Sequence, residues 1–203
     1  MKRLLTAAAA ALTLAACADA GTPVELRTPA GPNLTKYYYG AEWIFTTQTP
    51  ASTLGPDATG GWEAGTRFTT SREGIVTALR FWKAVGETGT HTIRLWSGST
   101  QIASKTISPS SETASGWQTV YLDAAVTLSA GTYMVSVNTN VYQVKTFAYF
   151  DNNPIYRSFM TADAGAYGQP TGSKPSTISG SAFFVDVLFS GLRCDTNFDF
   201  PCP

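Results

Sequence analysis

The chain has 203 residues, of which 43% are hydrophobic, 12% aromatic and only 14% charged. This length suits one domain with a substantial core, and the charge is too sparse for a disordered tail. Basic and acidic side chains number 14 each, so loss of the two basic residues in the predicted leader leaves a formal charge of −2, which argues against nucleic acid as a partner.

Residues 1–16 are predicted to be a lipoprotein signal peptide. Two basic residues precede an apolar run, Leu4–Leu14, that is too short to cross a bilayer as a stable helix. The run ends in Leu-Ala-Ala-Cys, which resembles the bacterial lipobox, so we expect cleavage before Cys17 and acylation of its thiol. The alternative is an ordinary secretory leader with an incidental cysteine. Ala18 resembles the sorting position of outer-membrane lipoproteins in Gram-negative bacteria, which predicts a cell-envelope protein anchored outside the cytoplasm.

Two segments outside the main body are predicted to be a tether and a tail. Residues 17–35 contain frequent Gly, Thr and Pro without apolar periodicity, which predicts a flexible tether. Residues 191–203 form the predicted tail, where Cys194 and Cys202 most simply pair in an oxidising compartment and close a short loop. Zinc is not expected there, because two thiols without a nearby histidine are too few ligands.

Residues 36–190 are predicted to form an all-β domain, an antiparallel two-sheet β-sandwich that is jelly-roll-like. Runs in which apolar and β-branched residues alternate with polar ones recur at about 8–12-residue spacing, with Gly, Pro or Ser between them. After an aromatic-rich early strand or strap over 36–45, strands are predicted around 67–70, 75–82, 92–96, 101–107, 117–128, 133–137, 142–149 and 182–189. Long loops are predicted over 46–61 and 151–181.

Alternation along the second and third of these strands predicts which side chains share a face. Ile75, Leu79 and Phe81 are expected on one face, and Arg80 and Trp82 on the other, together with Val76. The next strand repeats this pattern with an arginine and a tryptophan two residues apart on its less apolar face. The two strands are interpreted as neighbours in the same sheet.

Three tryptophans and two arginines are the candidate ligand-binding residues. Trp82, Trp96 and Trp117 are predicted to form a flat aromatic platform on which the C–H groups of a sugar stack. Arg80 and Arg94 lie beside them, where they would donate hydrogen bonds to hydroxyls or to a sugar carboxylate. The alternative is that these tryptophans fill the second half of the sandwich core.

Asp186 stands inside a predicted strand that is otherwise hydrophobic. A buried carboxylate without a partner costs several kcal/mol, so this residue requires one. Arg80 and Arg94 are the best candidates, by the face argument. The first interpretation is a structural ion pair or a carboxylate that accepts loop amides, and the alternative is a ligand anchor or a cation ligand.

Five segments in the middle of the chain occur in a distinctive order and spacing. They read F-T-T-S-R-E-G-I-V-T-A-L-R-F-W-K, E-T-G-T-H-T-I-R-L-W-S, A-S-G-W-Q-T-V, A-G-T-Y-M-V-S and F-V-D-V-L-F. Over about Phe45–Ser190 the chain resembles the bacterial family catalogued as domain of unknown function 4082. The resemblance implies an extracytoplasmic β-sandwich with a carbohydrate-binding role, and no established activity. Where family members often have Gly-His-Tyr, this chain has Asn140-Val141-Tyr142.

No catalytic residue, metal site or cofactor is predicted. His91 is the only histidine, so histidine pairs for metal binding or acid–base chemistry are excluded, and we expect it to hydrogen-bond across the Gly89 turn. The remaining carboxylates occur singly in turns and nominate no glycosidase pair. Asp151-Asn152-Asn153 is interpreted as a turn rather than a calcium site.

The first functional hypothesis is a lipid-anchored, monomeric binding module without catalysis, for which glycan is the favoured ligand. One alternative is a glycan hydrolase that uses an unrecognised pair of carboxylates. The other is a structural or protein-interaction lipoprotein of the envelope that recruits its partner at the sheet edges.

Overall fold

The computed structural model describes residues 38–57 and 61–193, and these are almost entirely β-structure. Cys17, the signal peptide, the tether, Cys194 and Cys202 lie outside the described residues. Within the described ranges, no helix is long and apolar enough to cross a membrane. The strands are β1 Glu42–Trp43, β2 Ser52–Leu54, β3 Trp62–Thr70, β4 Gly74–Lys83, β5 His91–Ser97, β6 Thr100–Ile107, β7 Gly116–Leu128, β8 Gly131–Thr139, β9 Gln143–Lys145, β10 Ile155–Tyr156, β11 Met160–Gly168, β12 Thr177–Ser179 and β13 Val185–Gly191; a 3-10 turn, Pro109–Ser111, precedes β7.

The strands form two main sheets and a small ribbon. The four-stranded sheet has the order β1-β13-β4-β7, and the larger sheet has the order β10-β11-β3-β8-β5-β6 with β12 also paired to β11. β2 and β9 form the ribbon. All of these pairs are antiparallel. The predicted all-β, two-sheet β-sandwich is confirmed.

The core lies between the two main sheets and is filled by alternate residues of each strand. In the larger sheet, Ile93 and Leu95 of β5 and Val135 of β8 are fully buried. Leu79 of β4 and Val187 of β13 meet them from the four-stranded sheet, and all five belong to one hydrophobic cluster. Burial of β-branched and leucine side chains on one face of each sheet explains why these segments form strands.

A bulge in β4 changes the predicted assignment of faces. Val76 lies in the core cluster with Leu79 and Phe81, whereas Ile75 does not. The register of β4 against β7 shifts between Val76 and Ala78. One extra residue reverses the inside-to-outside order of a strand, so the predicted grouping of Ile75 with Leu79 is wrong.

The predicted loop over 151–181 is also wrong, because this segment contains β10, β11 and β12. β11 pairs with β3 from Met160 to Gly168. Its sequence is rich in Ala and Gly, which disfavour strands in isolation. The small residues are required by close packing: a Cβ on Gly165 would lie 1.9 Å from the carbonyl oxygen of Ser181. The predicted loop over 46–61 similarly contains β2.

Candidate ligand-binding cleft

The structure divides the predicted platform between two surfaces. β4 belongs to the four-stranded sheet and β5 to the larger sheet, so the expectation that these strands are neighbours is wrong. Trp82 pairs in register with Trp117 of β7, and both are partly exposed. Trp96 lies on the outer face of the opposite sheet. The three tryptophans therefore do not share one surface.

Arg80 is enclosed by aromatic rings on the outer face of the four-stranded sheet. Its guanidinium carbon lies 4.1 Å from the ring centroid of Trp43 and 4.0 Å from that of Trp117. Trp117 in turn meets Trp82 edge to face, with centroids 5.5 Å apart. Because two indole rings pack against the guanidinium, whose side chain is only 11% exposed, this group stabilises the sheet surface and offers little of Arg80 to a ligand.

Asp186 is fully buried and forms an ion pair with Arg80. Its Oδ2 accepts from Arg80 Nη2 at 2.8 Å and from Nε at 3.1 Å. The amides of Ile44, Phe45 and Val187 donate to the same carboxylate at 2.7, 3.1 and 2.8 Å. Burial raises the pKa of Asp186 to about 6, against the opposing effects of Arg80 and the amides. The carboxylate thus fastens residues 44–45 to β13.

Trp96 is buried on the outer face of the larger sheet, where only 6% of it is exposed. It forms a small apolar cluster with Met134 and Ala166. Its indole nitrogen donates to Ser136 Oγ at 2.8 Å. With its ring packed and its donor satisfied, Trp96 offers no flat face for a sugar.

Arg94 pairs with Glu63 instead of Asp186. Its Nη1 lies 3.1 and 3.0 Å from the two oxygens of Glu63, which is fully buried. Glu63 also accepts from Ser136 Oγ at 2.6 Å and from the amide of Gly172 at 2.8 Å. The Gly172 contact holds the turn that follows β11 over this face of the sheet.

His91 is fully buried between two glutamates at the start of β5. Its Nε2 lies 2.9 Å from Glu87 Oε1, across the Gly89 turn, and its Nδ1 lies 2.6 Å from Glu112 Oε1. Burial alone would lower the pKa of His91, but the hydrogen bonds to both glutamates outweigh it and the pKa is raised. Lys83 Nζ completes the group, 2.8 Å from Glu112 Oε2. Each ring nitrogen thus faces a carboxylate oxygen, an arrangement that favours the protonated form of His91.

Glu87 connects this buried group to the loop after β8. Its carboxylate accepts the amides of Asn140 at 2.6 Å and Val141 at 2.9 Å, and also that of Tyr142. Burial would raise the pKa of Glu87, but the hydrogen bonds from His91 and the three amides outweigh it and the pKa is lowered. An ionised Glu87 thus fixes the loop over residues 140–142.

This loop forms one wall of a cleft with a volume of about 410 Å³. The cleft lies beside the β2–β9 ribbon and is lined by Leu54, Gly55, Pro56, Asp57, Trp62, Thr139, Val141, Tyr142, Gln143, Lys145, Tyr167 and Phe183. Trp62 and Tyr167 meet edge to face with centroids 5.7 Å apart, and Tyr167 lies 5.8 Å from Phe183. The cleft therefore combines aromatic walls with a few polar groups, as small-molecule sites do.

The side chains of Asp57, Lys145 and Gln143 line the cleft, and they differ in the contacts that their polar groups make. Asp57 accepts a hydrogen bond from the indole nitrogen of Trp62. Lys145 Nζ lies 5.4 Å from the ring centroid of Phe183. Gln143 Nε2 is buried and has no hydrogen-bond partner among the residues that the structure describes. Among the described residues, no group of three or more His, Cys, Asp or Glu side chains is arranged so that it could hold a metal ion.

The sequence interpretation did not nominate Trp62, Lys145 or Tyr167 for this site. Trp62 begins β3 after a predicted loop, and Tyr167 lies in the segment that was predicted to be a loop. Val141 and Tyr142, which the sequence analysis compared with the Gly-His-Tyr of the resembled family, both line the cleft.

A known protein family matches most of the chain. The family described as Domain of unknown function (DUF4082) matches residues 47–185. The chain belongs to the DUF4082 family. All residues that line the cleft lie inside the DUF4082 match, whereas Asp186 and the three cysteines lie outside it. No curated protein matches the chain.

Proposed function

We propose that this DUF4082 protein is a lipid-anchored binding module of the bacterial cell envelope that holds a glycan, without catalysis, in the cleft. The observation that carries the proposal is the cleft itself. Trp62, Tyr142 and Tyr167 supply aromatic surface, and Asp57 and Gln143 supply hydrogen-bonding groups. Its volume of about 410 Å³ falls within the roughly 300–1,000 Å³ of small-molecule sites.

The cleft is a better sugar site than the outer faces of the sheets. Sugars stack on accessible ring faces, because their C–H groups meet the π cloud. Trp96 is buried, and one face of Trp117 is covered by Arg80. In this proposal Arg80, Arg94 and the tryptophans of the outer faces support the sandwich and do not contact ligand.

The anchor is supported by the leader and by Cys17. Acyl chains contribute about 0.8 kcal/mol per buried CH₂, which suffices for stable anchoring when more than one chain is attached. The outer membrane is the proposed location in a Gram-negative cell, since Ala18 follows the cysteine. Cys194 and Cys202 are proposed to form a disulfide in the same compartment.

The hydrolase alternative requires two carboxyl groups that face each other across a cleft. Asp57 is the one carboxylate among the described residues that line this cleft. A hydrolase would therefore need a second carboxylate from a residue that the structure does not describe. Release of reducing sugar from a bound glycan would establish that alternative.

The protein-interaction alternative depends on β7, which lies at the edge of the four-stranded sheet. Tyr121 on this strand is 70% exposed. Lys105 of β6 lies 2.6 Å from Asp123 of β7, so the edges of the two sheets are close together at this point.

We propose that the mature chain is a monomer. Light scattering, which measures the molar mass of the mature chain in solution, tests this proposal directly.

A glycan array tests the proposal. We expect the mature chain to bind one class of glycan, and Trp62→Ala to lose at least about fivefold in affinity because stacking on one aromatic ring contributes about 1 kcal/mol or more. Trp82→Ala is the matched control, because Trp82 lies on the outer face of β4 and should leave binding unchanged. Retained binding by a folded Trp62→Ala variant contradicts the assignment of the cleft.

A further inference from the structure

Building on the proposed glycan-binding function, we infer that the cleft selects an acidic glycan and that Lys145 binds the carboxylate of one sugar. Three features of the described residues support this assignment: Lys145 has no carboxylate at ion-pair distance, aromatic rings surround its ammonium, and the nearby Gln143 has a buried donor without a partner.

Lys145 lines the cleft without an anionic partner among the described residues. Five lysine and arginine side chains of the sandwich do form ion pairs with carboxylates: Arg67 with Asp163, Arg80 with Asp186, Lys83 with Glu112, Arg94 with Glu63 and Lys105 with Asp123. Arg157, which has no such pair in the part of the chain that the structure describes, instead donates to backbone carbonyl groups. Within residues 38–57 and 61–193, no carboxylate lies at ion-pair distance from Lys145 Nζ. A cation that lines a cleft without a partner is a ready site for an anionic ligand.

Aromatic rings hold the Lys145 ammonium in place without replacing an anion. Its Nζ lies 4.4, 5.9 and 5.4 Å from the ring centroids of Phe147, Tyr167 and Phe183. Cation–π contacts leave the three N–H donors of the ammonium without an anionic acceptor. Donors therefore remain for charge-assisted hydrogen bonds to a carboxylate, which are stronger than neutral ones.

Among its described lining residues, the cleft carries one acidic and one basic side chain, Asp57 and Lys145. The amide of Asp57 donates to the carbonyl of Val141, before β9, whereas Lys145 ends β9 and pairs in register with Ser52. A ligand carboxylate is attracted to Lys145.

Gln143 lies two residues before Lys145 on β9 and supplies a further donor. Its Nε2 is buried without a hydrogen-bond partner in the described part of the chain. A buried donor without a partner is unfavourable, and a sugar hydroxyl or an acetamido carbonyl would satisfy it. The ligand that fits these groups is a carboxylated sugar with a hydrogen-bonding substituent beside the acid. Uronic acids and muramic acid share this chemistry.

Calorimetry on the mature chain tests the inference with three probes: oligogalacturonate, a muramic-acid-containing peptidoglycan fragment, and neutral galacto-oligosaccharide. We expect at least one acidic probe to bind more tightly than the neutral one. Lys145→Met should weaken that binding at least about tenfold, since hydrogen bonds to charged groups contribute about 1.5–3 kcal/mol. Lys145→Arg keeps the charge and should remain within about threefold of the parent. The acidic probe that binds distinguishes the two sources of the carboxylate.

The outcomes separate this inference from the proposed function. If neutral and acidic probes bind equally, and Lys145→Met changes neither while Trp62→Ala abolishes both, the cleft binds glycan but the acidic selection is wrong. If no probe binds and the array shows no glycan, the proposed function itself is wrong. Weaker acidic binding at higher salt in the parent, and not in Lys145→Met, supports the direct charge contact. Circular dichroism establishes that each variant is folded.

Discussion

Removal of the Asp186 carboxylate should destabilise the sandwich severely. Asp186→Ala leaves the Arg80 guanidinium, whose side chain is only 11% exposed, without its anion. It also leaves the amides of Ile44, Phe45 and Val187 without their acceptor. Removing one member of a buried ion pair costs about 3–5 kcal/mol, and each buried donor that loses its partner costs about 1–3 kcal/mol before relaxation. We expect a loss of at least about 2 kcal/mol, and closer to 4, in the free energy of unfolding.

Urea unfolding followed by tryptophan fluorescence measures this loss. The fluorescence of Trp43 and Trp117 reports directly on the Arg80–Asp186 pair, because both indole rings contact the Arg80 guanidinium. Asp163→Ala is the matched control: Asp163 is also paired with an arginine, at 2.8 Å, but its side chain is 40% exposed. Exposed pairs contribute about 0–1 kcal/mol, so the control should change the midpoint only slightly.

A double variant distinguishes the cost of the unpaired charge from the cost of the lost hydrogen bonds. Arg80→Met with Asp186→Leu replaces the pair by apolar residues of similar volume, so no unpaired guanidinium remains. The amides of residues 44–45 still lack their acceptor. We expect the double variant to recover part of the stability lost in Asp186→Ala. An unchanged urea midpoint in Asp186→Ala would show that the carboxylate contributes nothing to the fold, and the reasoning would be refuted.

Two further predictions concern protonation and anchoring. The raised pKa of His91 means that the folded state holds its proton more tightly than the unfolded state, whose pKa is about 6.5. This contribution to the free energy of unfolding is therefore complete below about pH 6.5 and is lost as the pH rises through the folded-state pKa. Unfolding curves measured from about pH 6 to about pH 9 should show this fall in the free energy of unfolding of the parent. An equal fall in His91→Gln would contradict the assignment to His91. Cys17→Ser should abolish incorporation of labelled palmitate, whereas Cys194→Ser should retain it; labelling that survives Cys17→Ser would overturn the anchor.

The fold class could be predicted from the sequence because successive side chains of a strand point alternately toward the core and toward solvent. Ile93 and Leu95 alternate with polar residues, and the structure buries both in the core. Which sheet a strand joins is a different question, since sequential strands neighbour each other in only about two-thirds of cases. β4 and β5 are consecutive strands that lie in different sheets, and this separation divides the predicted aromatic platform. β11 was missed because its Ala and Gly residues are selected by close packing and not by strand propensity.

The cleft was harder to predict because its residues come from segments with weak patterns. Trp62 follows a Gly- and Pro-rich stretch, and Tyr167 lies among small residues. They meet only because β3 and β11 pair along their length. Lys145 ends a strand of three residues, too short for alternation to show which way it faces. A single sequence carries no direct signal of such a meeting.

Three buried carboxylates each fasten a distant segment of the chain to the sandwich. Asp186 accepts the amide of Ile44, 142 residues away. Glu63 accepts that of Gly172, 109 residues away, and Glu87 accepts that of Asn140, 53 residues away. Each also lies at ion-pair distance from a basic side chain. The Glu87 contact fixes the loop that forms one wall of the cleft. Lys145 lines the same cleft without such a carboxylate among the described residues, and this contrast is the observation behind the proposed contact with a ligand carboxylate.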